Sequence, residues 1–241
     1  MRGWINGIGW VTAAGCGNGR NAEQQPLCPG SLEIPKRKQV FEKPDMRFGR
    51  LDEFSRIGLA ALAFCLRDAG EEGWSEKRPI GIIAASRYGC LQTDLAYLQT
   101  MLPEQGKLAS PNLFAYTLPN SFLGEAALRF GLAGNTLVFN QEDESGLSPL
   151  RFALEELAWS EQQAMLSGIC DLAAPLDLSR GSECPGSLFL LLGKEPSAVL
   201  PSYGELELRG KELLFAGESV TDLPTLVAAC LAKRAPAAKT L

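Results

Sequence analysis

Residues 138–147 read Val138-Phe139-Asn140-Gln141-Glu142-Asp143-Glu144-Ser145-Gly146-Leu147. The apolar stretch 136–140 predicts a strand, Ser145 and Gly146 close a sharp turn, and residues from about 147 to 159 carry apolar side chains at helical spacing. Strand, tight turn and helix in that order make the layout of a nucleophile elbow. The chemistry of such an elbow is missing. Carboxylates stand where an acyl-transfer nucleophile is expected, and the 241 residues contain no histidine.

Outward from the elbow, Pro79-Ile80-Gly81-Ile82-Ile83-Ala84-Ala85-Ser86 is a continuous apolar run. A strand covered on both faces shows this pattern, so a parallel or mixed central sheet with helices on both sides is implied. Residues 3–11, 164–169 and 187–192 are expected to share that sheet. Between 50 and 69, Phe54, Ile57, Ala61, Leu62, Cys65, Leu66 and Ala69 recur at helical spacing, with Asp52 placed to cap the start and Gly70 the end. Residues 12–45, rich in Gly, Pro, Gln and charge, read as a long irregular excursion. Further on, Arg209-Gly210-Lys211 separates two short apolar alternations at 205–208 and 212–215, which predicts a hairpin. Residues 223–231 predict a short helix with Asp222 as N-cap, and 235–241 a frayed tail. The expectation is one layered α/β domain over residues 1–241, its hairpin and helix falling at about 203–234.

With 46% hydrophobic and 21% charged residues, the composition is that of a soluble globular chain. The net charge of −5 has the wrong sign for neutralising phosphates, so nucleic acid is not an expected partner. No stretch approaches the roughly 20 apolar residues needed to span a bilayer, and no leader is evident, so a cytoplasmic location is expected. The seven cysteines, at 16, 28, 65, 90, 170, 184 and 230, include no C-x-x-C pair and have no histidine to complete a zinc set. Buried reduced thiols are the favoured reading, with neither metal nor cofactor expected.

Several residues invite a chemical reading. Glu142, Asp143 and Glu144 suggest paired carboxylates, but three consecutive side chains cannot face one point, and a loop that does not react is favoured. Ser145 has no histidine to activate it and is expected to shape the turn. Cys170 lacks an imidazole partner for the same reason and is expected to be structural. Gly7-Ile8-Gly9 is a partial dinucleotide fingerprint whose third glycine falls on Thr12. Lys36-Arg37-Lys38 suits an acidic carrier protein, although a solvated loop is the favoured reading. The run Leu113-Phe114-Ala115-Tyr116-Thr117-Leu118 reads first as core or interface filler.

The elbow resembles that of the β-ketoacyl synthases, which read Thr-Ala-Cys-x-Ser-Gly; matching Ser145 and Gly146 places Asp143 on the nucleophilic cysteine. The resemblance continues in order through residues 5–12, Arg47-Phe48-Gly49-Arg50-Leu51-Asp52, Pro111-Asn112-Leu113-Phe114, Leu118-Pro119-Asn120, Arg129-Phe130-Gly131-Leu132 and Gly186-Ser187-Leu188. It covers roughly residues 1 to 208. It implies the first half of a duplicated thiolase-like fold, with the strand at 136–140 on the sheet edge at the dimer seam. The family's catalytic histidines belong to the second half, and this sequence is expected to stop where that half begins. No catalytic residue is therefore carried over. The corresponding stretch in synthases lies at the dimer interface and reaches the floor of the neighbour's acyl tunnel, which makes Tyr88, Leu113 and Phe114 the expected tunnel and interface residues.

The function implied is that of a chain-length factor, an inactive subunit paired as a heterodimer with a full-length ketosynthase. Such a subunit bounds the acyl tunnel in polyketide, aryl-polyene or fatty-acid-like biosynthesis, with acyl carrier protein touched at most indirectly. The alternatives are a degenerate 3-oxoacyl-carrier-protein synthase with residual acyltransferase or decarboxylase activity, and a homodimeric acyl-binding protein.

Overall fold

The computed structural model describes residues 1–22, 26, 30–43, 45–140, 145–174 and 184–233. Among the described residues nine strands form one sheet: β1 (Arg2–Thr12), β2 (Gly15–Asn18), β3 (Ile80–Ser86), β4 (Thr136–Asn140), β5 (Ala164–Asp171), β6 (Gly186–Gly193), β7 (Gly204–Arg209), β8 (Glu212–Phe215) and β9 (Glu218–Val220). Their order is β4-β3-β5-β6-β1-β7-β8-β9, with β2 paired to β1 off this path. β3 runs parallel to both β4 and β5, and β6 runs antiparallel to β5 and β1. All five strands expected from the sequence share this sheet, and β4 lies at its edge.

Every residue of β3 is buried because the sheet is covered on both faces. Ile80, Ile82 and Ala84 join a core with α2 (Glu53–Ala69) and α5 (Ser121–Phe130), including Phe54, Leu62, Phe122 and Phe130. Ile83 joins the opposite core, built on α6 (Ser148–Trp159) and α7 (Leu223–Lys233) through Leu150, Leu154, Leu226 and Val227. The alternation of a pleated strand thus feeds two apolar layers.

α2 begins and ends where its sequence indicates. The Asp52 carboxylate accepts from the Ser55 amide at 3.0 Å, and Gly70, at φ 76°, donates to the last carbonyls of the helix. The Asp222 carboxylate accepts from the Thr225 amide at 2.8 Å and caps α7 in the same way.

The predicted hairpin is β7–β8, turning through Gly210 at φ 62°, and β9 extends it by a third strand that the sequence reading missed. The segment expected to be irregular, 12–45, contains β2 and a short helix α1 (Arg37–Val40). Three α-helices, α3 (Leu91–Met101), α4 (Pro111–Phe114) and α5, and a 3-10 turn at Pro103–Gly106 lie between β3 and β4. The tail expected at 235–241 lies outside the described residues. No helix among the described residues is long and apolar enough to cross a membrane.

Candidate functional site

The C-terminal ends of the parallel strands lie side by side, with Ser86 of β3 opposite Asn140 of β4 and Ala85 opposite Ile169 of β5. Open α/β sheets place their sites at this end. Glu142, Asp143 and Glu144 lie outside the described residues, and the elbow resumes at Ser145. Its hydroxyl accepts from the Leu147 amide at 3.2 Å, the turn-shaping role expected of it. Gly146, at φ 71°, takes the left-handed conformation that the turn requires. Leu147 and Leu150, fully buried, seat the start of α6 in the core. Leu223 closes over the turn: its amide donates to the Ser145 carbonyl at 2.8 Å, and a Cβ on Gly146 would stand 3.1 Å from the Leu223 Cβ.

Beside the elbow, β5 ends at Asp171. One of its oxygens, Oδ1, accepts from Ser86 Oγ at 2.8 Å, from the Arg87 amide at 2.8 Å and from the Tyr88 amide at 3.0 Å. Burial pushes its carboxyl up to about 6, against the pull of these donors and of the Arg87 charge. Ser86 Oγ in turn accepts from the Gly89 amide at 2.7 Å. Gly89 lies so near the α4–α5 connection that a Cβ there would sit 3.3 Å from the Pro119 Cβ.

Neither thiol near these strand ends is primed as a nucleophile. Burial, then the Asp94 carboxylate beside it, pushes Cys90 up to about 12. Burial holds Cys170 well above the ordinary thiol range, and its sulfur points to the Phe54 carbonyl at 3.8 Å. Cys65 and Cys230 are buried as well, whereas Cys16 and Cys184 are exposed, so the expectation of uniformly buried thiols is corrected for those two. Cys28 lies outside the described residues. Among the described residues, no group of histidine, cysteine and carboxylate side chains could hold a metal ion.

The expected tunnel residues fall on one stretch of surface. Leu113 is half-buried on α4, and Phe114 beside it is 62% exposed, its ring centroid 5.5 Å from that of Tyr97 on α3. Tyr88 is half-buried in the turn that meets Pro119 on the same connection. Within the 113–118 run, Tyr116 packs against the core as filler would, whereas Phe114 and Leu118 are exposed. Only Thr93 of α3 is buried, and Leu95, Leu98 and Met101 are exposed.

A second uncovered apolar strip follows β4. Leu137 is 47% exposed, and Phe152 and Trp159 of α6 are exposed beside it. Together with Ile83, Asn135 and Glu155 they line a groove of about 260 Å³. The Phe139 and Phe152 rings meet edge to face at 5.1 Å and link strand to helix. The sequence reading did not single out Phe152 or Trp159. Their spacing sets them on the side of α6 away from Leu150, Ala153, Leu154 and Leu157, and that was the signal available. Arg37 and Lys38 stand on α1 rather than in a loop, and with Met46 and Arg50 they line a shallow depression on another part of the surface.

Residues 35–181 match the family model described as β-ketoacyl synthase, N-terminal domain. Over 144 residues the chain is 26% identical to 3-oxoacyl-[acyl-carrier-protein] synthase 2 of Vibrio cholerae serotype O1, an alignment covering 59% of this chain and 34% of that enzyme. The chain thus spans only about a third of that curated relative's length. Among solved structures, the ishigamide ketosynthase/chain length factor superposes with a TM-score of 0.65 at 14% identity, over 85% of this chain and 62% of that one. A ketosynthase in complex with its chain length factor from Xenorhabdus doucetiae gives 0.54 at 16% identity, over 81% and 80%. At these identities the likeness to the solved structures is one of fold. Because the matched region runs through β3, β4, the elbow helix and β5, the chain belongs to the β-ketoacyl synthase family through its N-terminal domain.

Proposed function

We propose that this chain is a non-catalytic ketosynthase-like subunit of the chain-length-factor type, which pairs along β4 with an active ketosynthase and helps bound that partner's acyl tunnel. The observation that carries the reading is the outer edge of β4, unpaired among the described residues and flanked by exposed Leu137, Phe152 and Trp159. An unpaired strand edge beside apolar side chains is an aggregation hazard unless another chain covers it.

The chemistry agrees. The sequence supplies no imidazole, and among the described residues burial holds the Cys90 and Cys170 thiols up, Cys90 with the Asp94 carboxylate raising it further, so neither is activated as a nucleophile. In this reading the partner condenses an acyl thioester with a malonyl unit on carrier protein, in a polyketide, aryl-polyene or fatty-acid-like route. Tyr88, Leu113 and Phe114 contribute bulk that the growing acyl chain meets, and Asp143 occupies the nucleophile's place in the sequence without its function.

The test is reconstitution with a ketosynthase from the same genome, followed by mass analysis of carrier-bound products. Phe114→Ala, Leu113→Ala and Tyr88→Ala should each leave room for one or more additional extension cycles, because truncating a large side chain opens space. The partner's rate per condensation should hold. An unchanged product distribution for all three variants, in an assembled complex, sinks the tunnel role. A stoichiometric acyl adduct on the isolated chain, seen by intact mass after incubation with acyl thioesters, would favour the degenerate-enzyme reading. A stable homodimer that retains acyl chains and ignores the ketosynthase would favour the acyl-binding protein.

A further inference from the structure

Asp171 has no place in the function proposed above. It is a half-buried carboxylate at a strand end, outside the elbow, and the proposed function assigns it no proton chemistry. Burying a carboxyl in this way is costly unless donors repay it, and here the donors are specific. Three of them converge on Oδ1, two being successive backbone amides, those of Arg87 and Tyr88. Successive amides aimed at one anionic oxygen form a nest, which fixes the backbone that carries them. The third donor, Ser86 Oγ, relays the restraint by accepting from the Gly89 amide. Every residue from Ser86 to Gly89 is thereby tied to Asp171 directly or through one hydroxyl. Charge-assisted bonds of this kind are roughly twice as strong as neutral ones.

What this network holds still is the turn that bears Tyr88. The geometry points to Asp171 as the positioning residue of that turn: it sets where the Tyr88 side chain stands toward a partner's acyl chain and thereby helps determine product length. The inference rests on the tunnel reading of Tyr88. Asp171 itself touches no acyl chain and acts only through the Ser86–Gly89 backbone. Gly89 lies close to Pro119, so the restrained turn stands beside the connection that follows Leu113 and Phe114.

Asparagine and alanine separate the contributions. Asp171→Asn keeps an Oδ1 acceptor for all three donors, whereas Asp171→Ala removes it. Amide hydrogen exchange on the full chain reads the turn directly. In Asp171→Ala the Arg87 and Tyr88 amides should lose at least about tenfold in protection, while Asp171→Asn stays within about threefold of the parent. In the reconstituted system, Asp171→Ala should lengthen the products in the direction of Tyr88→Ala, and Asp171→Asn should restore the parental length. Unchanged protection at Arg87 and Tyr88 in Asp171→Ala overturns the inference. So does a freed turn with parental products when Tyr88→Ala does shift them, an outcome that leaves the tunnel reading standing. If neither Tyr88→Ala nor Asp171→Ala shifts the products of an assembled complex, the tunnel role of Tyr88 fails and takes this inference with it. Should Asp171→Ala not fold, Ser86→Ala decides: it should free the Gly89 amide and shift products the same way, and parental protection at Gly89 overturns the relay.

Discussion

Gly9→Ala is expected to abolish folding. A Cβ at this position would sit 2.1 Å from the Cys65 amide nitrogen, 2.5 Å from the Ala61 carbonyl oxygen and 2.6 Å from the Phe64 carbonyl carbon. All three are backbone atoms of α2, so no rotamer change relieves the overlap. Only separation of the helix from β1 would, and β1 is bonded to β2, β6 and β7. Overpacking that side chains can absorb costs about 1–3 kcal/mol. A clash with fixed backbone at the centre of the sheet should exceed that range and consume most of a typical total of about 5–15 kcal/mol. Gly49→Ala is the control: nothing lies within 4 Å of its Cβ position, and the change should stay within about 0.5 kcal/mol. Far-ultraviolet circular dichroism with thermal melting checks both variants. A cooperative Gly9→Ala transition within a few degrees of the parent would refute the close-approach argument. The Gly7-Ile8-Gly9 pattern serves helix–strand contact, one of the uses of glycine in the fingerprint it partly matches, and here the approaching body is a helix of the same chain.

Asp68→Ala should be the next most damaging change. The Asp68 carboxylate, 1% exposed on α2, accepts from the Ile8 amide, the Arg20 amide and the Tyr203 hydroxyl, each at 2.8 Å. Arg20 returns a bond from Nε to the Asp68 carbonyl, and another guanidinium nitrogen donates to the Pro201 carbonyl at 2.8 Å. One side chain thus ties α2 to β1, to the turn after β2 and to the approach to β7. Removing it strands three donors, each worth about 1–3 kcal/mol when left unpaired. Because these losses are not additive, the net cost should be about 3–5 kcal/mol, read from urea midpoints. Asp68→Asn, which keeps an acceptor, should cost clearly less. An Asp68→Ala midpoint matching the parent would show that water replaces the network. Burial raises Asp68 and Asp171 above the ordinary carboxyl value of 3.8, Asp171 to about 6. The folded chain then holds more protons than the unfolded one. The stability that Asp171 contributes in this way is fully present below the unfolded value near 4 and lost as pH rises through about 6, and Asp68 shifts stability in the same direction.

Much of this architecture was legible because local and tertiary signals agree. The 79–86 run is apolar on both sides because two helical layers cover β3, and α2 carries its own start and stop in Asp52 and Gly70. The edge position of β4 came from family resemblance, since five residues of sequence do not say which neighbour a strand lacks. β2 stayed hidden because Gly15-Cys16-Gly17-Asn18 has little strand propensity and becomes a strand by pairing with β1. At the site, Ser145 was readable because its hydrogen bond is local. Asp171 was not, because its partner Ser86 lies 85 residues earlier and a lone carboxylate at a strand end has no pattern. Phe152 and Trp159 sat within a plausible helical period; which side of α6 the rest of the chain leaves bare is a tertiary fact.

The two ends of the sheet are unlike, and with the β4 pairing proposed above that asymmetry would limit how large an assembly can grow. At one end β4 offers five residues beside apolar flanks; at the other, β9 is three residues long and carries exposed Glu218 and Ser219. A body with a receptive edge on both sides can stack without limit into a ribbon, because each addition recreates the edge it consumed. A body receptive on one side cannot. Once two β4-like edges meet, each consumes the other, the outward margins are blunt, and strand addition terminates at a pair. If β4 pairs as proposed above, stoichiometry would be written into the sheet margins themselves, before any choice between a second copy and a different partner is made.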